Sequence, residues 1–541
     1  LPSGPGVRWD GGIEAGSEVG LHYDPMLAKL IVYGRDRADA IARMQAALAA
    51  TRLSGIATNL EYLRQIVASA AFAEGKVWTR FLETIVRRYP DALAWELWNE
   101  PHLPGGSVFW HNQDYLLPRL RTTLPETSFI GMPIMAGADL MAFLTLTRSV
   151  KSAVHVAKRV TTHLYHLARY GRAMHLVNGV ALVARLAKSA DDLGVQLIES
   201  APAKRLLREN GRVCGAVVQR GDGEQRIHVR KGVVLAAGGF AHDIERRRQL
   251  FPRTPSGHEH LALPPPACNG DGLRLGEDVG AVLNTALKSP VAWAPVSRVP
   301  YPDGSVGHFP HIIDRGKPGL IAVLRSGRRF VNEAEGYYDF VAALLDAVPE
   351  GEEVCCWLIC DQRFIRRYGL GIARPAPVPL WSVLRSGYLK RGHTLEALAH
   401  ACGIDPLGLL QTLADYNRHA QQGADPAFGR GSTAFNRRSG DASHKGPNPC
   451  VAPIERGPFY AVKVEPGSFA TFAGPKTNSQ AQVLDAADQP IPGLYAAGSD
   501  MASVMGGHYP SGGINLGPAM TFGYLAARHA AGVEAYETEL E

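Results

Sequence analysis

The sequence predicts an α/β chain built from more than one unit, and three observations carry that prediction. Residues 1–83 alternate strand-like pieces with helical periodicity. The run "KGVVLAAGGF" reads as a buried strand ending in Gly238-Gly239. The stretch "GGHYPSGGINLGPAMTFGYLAARHAAG" crowds glycines in front of an alanine-rich helix, and at 541 residues the chain is too long for one hydrophobic core.

Composition narrows the classes. With 46% hydrophobic and 20% charged residues the chain reads as soluble and globular. A net charge of +6 is small for this length and the arginines are scattered, so no nucleic-acid partner is expected. Seven cysteines (Cys214, Cys268, Cys355, Cys356, Cys360, Cys402, Cys450) form an odd set without CxxC spacing. Neither a disulfide framework nor a zinc site is expected from them, and the expected compartment is reducing cytoplasm. No apolar run approaches the roughly 20 residues of a membrane helix. The basic stretch "SVKSAVHVAKRVTTHLYHLARYGRA" reads as a solvated helix face rather than a membrane-touching surface. No signal peptide opens the chain, and its start at Leu1 reads as that of a fragment.

The first segment contains the amphipathic helix "DRADAIARMQAALAAT". Its pieces "GPGVRWD", "YDPMLAKLIV", "DRADAIARM" and "ATNLEYL" stand in the order found in the carboxy-terminal piece of biotin carboxylase domains, which residues 1–83 resemble. The resemblance implies a small α/β unit with Arg8 near bicarbonate and the biotin enolate. The ATP loop and metal-binding glutamates that carboxylation needs are not found in this sequence, so Arg8 alone does not carry that reaction. Residues 84–115 follow as a connector, in which "WELWNEP" resembles the fourth-strand end of retaining glycosidases on the (β/α)8 barrel. That resemblance implies Glu100 as acid/base and Asn99 as the holder of the sugar's 2-hydroxyl. Retaining hydrolysis needs a second carboxylate about 5–5.5 Å away from a later strand. So short a segment cannot make a barrel, and the motif is expected to be orphaned.

From residue 116 to 535 the texture is continuous. A helical stretch precedes short alternating strands, with a hairpin turn at Gly221-Asp222-Gly223. Ligands of parallel sheets sit at the carboxyl ends of strands, where Gly238-Gly239 falls. Pro518 near the start and Gly532 near the end bracket the last helix. Its N-terminus offers free N–H groups and about half a positive charge.

"GVVLAAGGF", "NGDGLRLGEDVGA", "GRRFVNEAEGYYDF", "GPFYAVKV" and "IPGLYAAGSDMASVMGGHYPSGGINLGPAMTFGYLAA" stand in the order seen in FAD-dependent 3-ketosteroid dehydrogenases and their relatives in the fumarate reductase flavoprotein family. The resemblance implies a Rossmann-like FAD-binding domain split between residues 116–250 and 445–535, with an α+β cap domain inserted at 251–444. It also implies FAD held by Gly238, Gly239, Gly498, Ser499, Asp500, Gly512, Gly513, Ile514, Asn515 and Leu516. The helix N-terminus would face the N1–C2 carbonyl edge of the isoalloxazine. Tyr509 and the N–H of Gly513 would bind the carbonyl oxygen of an apolar substrate. Tyr337 would remove the α-proton while hydride passes between the neighbouring carbon and flavin N5. The alternative for Tyr337 and Tyr338 is packing beneath the flavin. A tyrosine base also needs a positive neighbour, since its ordinary pKa is about 10.

The sequence departs from that family in places. "YPSGG" stands for "YPGPG", which keeps the four-residue offset and alters the turn, so steroid specificity does not follow. Ser499 stands where relatives often carry asparagine or glutamate, and no arginine in "GHYPSGGINLGPAM" serves as a fumarate-reducing proton donor. No G-x-G-x-x-G occurs in the chain, so the FAD domain is expected to be truncated, with an exposed sheet edge and low stability. The competing readings are a mosaic or fused chain that keeps the motifs without turnover, or a biotin-dependent carboxylase fragment.

Overall fold

The computed structural model describes residues 6–11, 28–51, 60–73, 128–129, 131–134, 139, 142–143, 145–146 and 149–533. Asn99, Glu100 and the rest of the connector at 84–115 lie outside the described residues. The chain divides into two compact units, Leu1–Leu97 and Trp98–Glu541.

In the first unit β1 (Val7–Gly11) pairs antiparallel with β2 (Ala28–Val32). Arg8 is exposed on β1, opposite Ile31. The amphipathic stretch forms α1 (Arg37–Ala50), started by the Asp36 carboxylate, which accepts from the Asp39 N–H at 2.8 Å. Ala47 and Leu48 of α1 are buried, as are Ile66 and Val67 of α2 (Leu60–Ala68), which packs against α1 and is followed by the short α3 (Ala70–Ala73). The Arg64 guanidinium donates to the carbonyls of Leu48 at 2.9 Å and Thr51 at 3.3 Å, satisfying acceptors that the end of α1 leaves open.

The first described elements of the second unit are the small hairpin strands β3 (Ser128–Phe129) and β4 (Met132–Pro133). The basic stretch is one helix, α4 (Val150–Tyr170), capped by Ser149 and ended by Gly171 at φ +69°, and α5 (Asn178–Asp192) follows. Then β5 (Ala203–Glu209), β6 (Arg212–Arg220) and β7 (Gly223–His228) form an antiparallel meander. The β6–β7 hairpin turns at Gly221, φ +58°, as the Gly-Asp-Gly signal anticipates. No described helix is long and apolar enough to cross a membrane.

The strand of "KGVVLAAGGF" is β8 (Val233–Leu235), and its parallel partner arrives only near the end of the chain. Before it come α6 (Ile244–Leu250), β9 (Leu261–Ala262), α7 (Asp271–Glu277), β10 (Leu283–Asn284), β11 (Val291–Pro300), β12 (Val306–Pro310), β13 (Leu320–Val323) and α8 (Tyr337–Ala347). Next are β14 (Cys356–Asp361), α9 (Gln362–Tyr368), α10 (Trp381–Arg385), β15 (Lys390–Gly392), α11 (Leu395–Cys402), α12 (Pro406–Ala420), α13 (Ala434–Ser439) and β16 (Phe459–Thr471). The unit closes with β17 (Gly474–Pro475), β18 (Gln482–Leu484), β19 (Pro490–Ala496) and α14 (Leu516–Ala531).

The large sheet runs β12-β11-β16-β14-β13, with β9 and β15 also paired to β16. Its residues alternate between two cores. Leu320, Ala322, Cys356, Leu358, Tyr460 and Val462 face one core, which α8 covers with Tyr338, Phe340, Val341 and Leu344. Ile321, Val323, Trp357, Ile359 and Ala461 face the other, covered by α11 and α12 through Leu398, Leu409, Leu413 and Tyr416. Burial on both faces explains why "CCWLIC" is apolar at every position but carries no alternation. The smaller sheet runs β18-β19-β8, with Leu494, Tyr495 and Ala496 beside Val233, Val234 and Leu235. Among the described residues β8 is its edge, and Val234 is 44% exposed there.

Candidate active site

The two sheets converge where β8 and β19 end. After β8 the chain turns through Gly238 at φ +93° and Gly239 at φ +76°. A Cβ on Gly238 would stand 2.7 Å from Cys268 Sγ, and one on Gly239 only 2.0 Å from Thr471 Oγ1 and 2.8 Å from the Ser499 carbonyl oxygen. These glycines are therefore fixed by packing as well as by left-handed backbone. Gly239→Ala is expected to lower stability by about 2 kcal/mol or more. Gly512→Ala, with nothing within 4 Å of its added Cβ, should shift it by no more than about 0.5 kcal/mol. Paired urea denaturation curves check the contrast.

After β19, Gly498, Ser499 and Asp500 form one turn of 3₁₀ helix, with Gly498 at φ +66°. The Ser499 carbonyl accepts from Thr471 Oγ1 at 3.2 Å. Asp500 accepts from the N–H groups of Ala237 and Gly239, the latter at 2.7 Å. Burial pushes its carboxyl pKa up, and the two N–H groups hold it down only in part. Its oxygens press on Gly272, where an added Cβ would lie 2.1 Å away. The glycine in "NGDGLRLG" thus makes room for this carboxylate, a use that no spacing rule in the sequence announces.

The glycine-rich loop brings the tyrosines together. Its base is pinned by backbone bonds from Ser503 N–H to the Phe472 carbonyl at 2.8 Å and from Lys288 N–H to the Gly506 carbonyl at 3.0 Å. Tyr509 then projects so that its hydroxyl lies 2.6 Å from that of Tyr337, the first residue of α8. Tyr338 stacks on Tyr509 with centroids 5.8 Å apart and donates to the Gly507 carbonyl at 3.0 Å. Phe469 meets Tyr337 edge-on at 5.3 Å. Burial pushes the Tyr337 hydroxyl pKa up, against the lowering effects of the Tyr509 hydrogen bond and of Arg315. Tyr509 is pushed up as well, by burial first and then by Tyr337.

From Tyr509 the chain passes through Gly512 and Gly513, φ +94°, into α14. Gly517 N–H bonds back to the Gly513 carbonyl at 2.9 Å, while the Asn515 side chain caps nothing. Ile514 is buried in the core and Leu516 is half exposed. Gly513, Ile514, Asn515 and Leu516 thus form a helix entrance whose amides take no side-chain acceptor among the described residues.

A buried charge array that begins just before Tyr337 in the chain was not singled out from the sequence. Arg329 makes paired bonds to Glu333 at 2.8 and 2.7 Å and to Asp425 at 2.8 Å twice. Glu333 also accepts from Arg430 at 3.1 Å and from the Ala322 N–H at 3.0 Å. The signal available was the Arg329-to-Glu333 spacing of four residues inside "GRRFVNEAEGYY".

Two parallel strands ending on left-handed glycines, beside a helix entrance without a side-chain cap, define a nucleotide-cofactor-binding α/β protein. Residues 70–516 match the FAD binding domain family, and the chain belongs to that family. Residues 1–84 match the biotin carboxylase C-terminal domain. The chain is 41% identical to 4-oxocyclohex-2-ene-1-carboxylate 5-dehydrogenase of Sinomonas cyclohexanicum, over 75% of this chain and 68% of that protein. It is 36% identical to 3-oxosteroid 1-dehydrogenase of Mycolicibacterium smegmatis, over 64% of this chain and 61% of that protein. The chain therefore spans about two thirds of the length of these relatives. A solved structure, 3-ketosteroid delta1-dehydrogenase from Sterolibacterium denitrificans in complex with 1,4-androstadiene-3,17-dione, is similar with a TM-score of 0.67. Its identity is 35%, and the match covers 74% of this chain and 72% of that one.

The family and the flavoenzyme relatives indicate FAD as the cofactor. The residues present fit such a group at the entrance of α14, where no side chain caps the helix and a Cβ added to Gly512 would meet nothing within 4 Å. A G-x-G-x-x-G turn for the pyrophosphate has no counterpart in the sequence.

Proposed function

We propose that this chain is a flavin-dependent oxidoreductase that removes or adds hydrogen at the carbons α and β to a carbonyl. The observation that carries the proposal is the 2.6 Å contact between the Tyr337 and Tyr509 hydroxyls beside the entrance of α14. FAD, when bound, supplies the hydride acceptor at N5. The Gly513 N–H and the Tyr509 hydroxyl bind the carbonyl oxygen and draw charge from the α-carbon. Tyr337, as phenolate, takes the α-proton.

The two roles are coupled because a single hydrogen bridges two oxygens. In the fraction of free enzyme where Tyr337 is ionised, Tyr509 donates to its phenolate, which is the direction that lowers the Tyr337 pKa. When a substrate carbonyl arrives, Tyr509 turns its hydrogen to that oxygen. Tyr337 then loses its stabilising donor and becomes a stronger base next to the proton it must remove. Asp500 contributes by tying the glycine turn of β8 to the turn after β19.

The pH dependence follows from the sign of the shift. Tyr337 is pushed above its ordinary value of about 10, so below that pH the active phenolate grows tenfold with each unit. We expect kcat/KM to climb with near-unit slope from about pH 7 to 10. A plateau at neutral pH would remove Tyr337 from the base role.

The substrate class proposed is a cyclic ketone, with the cyclic oxo-acids and 3-oxosteroids of the relatives' names as its two candidates. The test is anaerobic mixing of the purified full chain with each ketone, following flavin absorbance near about 450 nm. Bleaching by a cyclic ketone supports the proposal; a chain that carries flavin and is bleached by neither overturns it. The second reading, a mosaic chain without turnover, draws on the lack of a G-x-G-x-x-G in this sequence and on the edge position of β8 among the described residues. It predicts a colourless protein that stays colourless after incubation with FAD.

A further inference from the structure

We propose that Glu209, Cys214 and His228 form a Zn²⁺ site on the outer face of the β5-β6-β7 meander, with a fourth position left to water. One residue comes from each of the three strands, and their ligand atoms all lie within 4.8 Å of one another. Zinc bonds of about 2.0–2.3 Å place tetrahedral ligands about 3.3–3.8 Å apart, so a rotamer adjustment of exposed side chains closes the cluster. Glu209 and His228 are exposed and Cys214 is half-buried.

The backbone shows how the thiol is aimed there. On β5 and β6, Leu207 pairs with Gly215 and Arg208 with Val213, so Cys214 is an extra residue, a bulge on the middle strand. Val213 before it is buried in the core, whereas Cys214 is half-buried and groups with the exposed Glu209 and His228. Gly215 pairs with His228, and a Cβ on Gly215 would stand 2.1 Å from the Ile227 carbonyl oxygen. The absent side chain therefore lets the histidine strand close on the bulge.

The chemistry of the three groups suits zinc. A thiolate and a carboxylate balance its two charges, and the sulfur–imidazole–oxygen set matches its borderline softness. Among the described residues neither the Glu209 carboxylate nor the His228 ring has a hydrogen-bond or ion-pair partner, whereas the flanking arginines are engaged elsewhere. Arg208 donates to the Gly211 and Val279 carbonyls and Arg212 to the Lys231 carbonyl. Bound metal would staple the free strand of the meander, β7, to the two that pack on the core. The inference is independent of the flavin chemistry.

The test uses tag-free full chain, stripped with EDTA and titrated with Co²⁺ and then with Zn²⁺. One equivalent of Co²⁺ should give a thiolate charge-transfer band that one equivalent of Zn²⁺ abolishes, and Zn²⁺ should raise the melting temperature. Cys214→Ser should lose the band; His228→Gln and Glu209→Gln should keep it with affinity lowered about tenfold or more. Absence of a band in the parent chain overturns the proposal, and so does a band that survives Cys214→Ser. If Cys214→Ser fails to fold by circular dichroism, unchanged Co²⁺ affinity in His228→Gln overturns it instead.

Discussion

Tyr337→Phe is expected to lower kcat/KM for ketone desaturation by about 10²- to 10⁴-fold while leaving the bound flavin's spectrum unchanged. Phenylalanine keeps the ring that Phe469 meets edge-on and removes only the hydroxyl that faces Tyr509. Packing is preserved and the base is lost. Tyr509→Phe should cost about 3–4 kcal/mol of transition-state stabilisation, since it deletes one of two donors to the carbonyl oxygen. The informative variant is the double one. If Tyr509 both binds the carbonyl and controls the basicity of Tyr337, the two losses share a term, and the double variant falls well short of their sum. Strict additivity in stopped-flow flavin reduction would mean that the 2.6 Å contact has no part in the chemistry. A fall of less than about twofold in Tyr337→Phe would leave that residue as packing beneath the ring.

The tyrosine pair was legible in the sequence because each member sits in a short motif whose local backbone fixes it: a helix start for Tyr337 and a glycine loop for Tyr509. The same holds for Gly238, Gly239 and Gly513, whose positive φ angles are local requirements. The meander hairpin at Gly221 and the last helix between Pro518 and Gly532 were legible for that reason too. The hydrogen bonds that Asp500 makes within the fold were not legible from its neighbours. Its partners, Ala237 and Gly239, come from a strand more than 250 residues earlier, and only the parallel pairing of β8 with β19 brings them within reach. The Glu209, Cys214 and His228 cluster escaped the cysteine spacing rules because a bulge, rather than a spacing, aims the thiol. In the large sheet, strands buried on both faces hide their own pairing partners, so "CCWLIC" says nothing about β16 beside it.

The buried charges centred on Glu333 give the largest stability effect. Glu333 is fully buried and accepts from Arg329, Arg430 and the Ala322 amide, and Asp425, 96 residues beyond Arg329, completes the array. Removing the central anion leaves Arg430 with backbone carbonyls alone and halves the anionic partners of Arg329. Glu333→Gln is therefore expected to destabilise the chain by about 3–5 kcal/mol, the cost of buried cations that lose their counter-charge. Asp425→Asn should be milder, because Arg329 keeps Glu333. Burial pushes the Glu333 carboxyl up, but Arg329 and Arg430 outweigh it and hold the pKa below the ordinary carboxylate value. With the folded pKa depressed, the contribution of Glu333 is fully present above the unfolded value of about 4.3 and is lost as pH falls through the lower, folded one. The deficit of Glu333→Gln should accordingly be constant from about pH 7 down to about 5 and shrink below about 4. Because Glu333 lies four residues before Tyr337, the variant should also lose activity at temperatures where it is still folded, through displacement of that hydroxyl. Urea midpoints across this pH range, read beside kcat/KM at neutral pH, check both effects. Equal stability of Glu333→Gln and the parent chain at pH 7 would show that the array of arginines and carboxylates contributes nothing net to the fold.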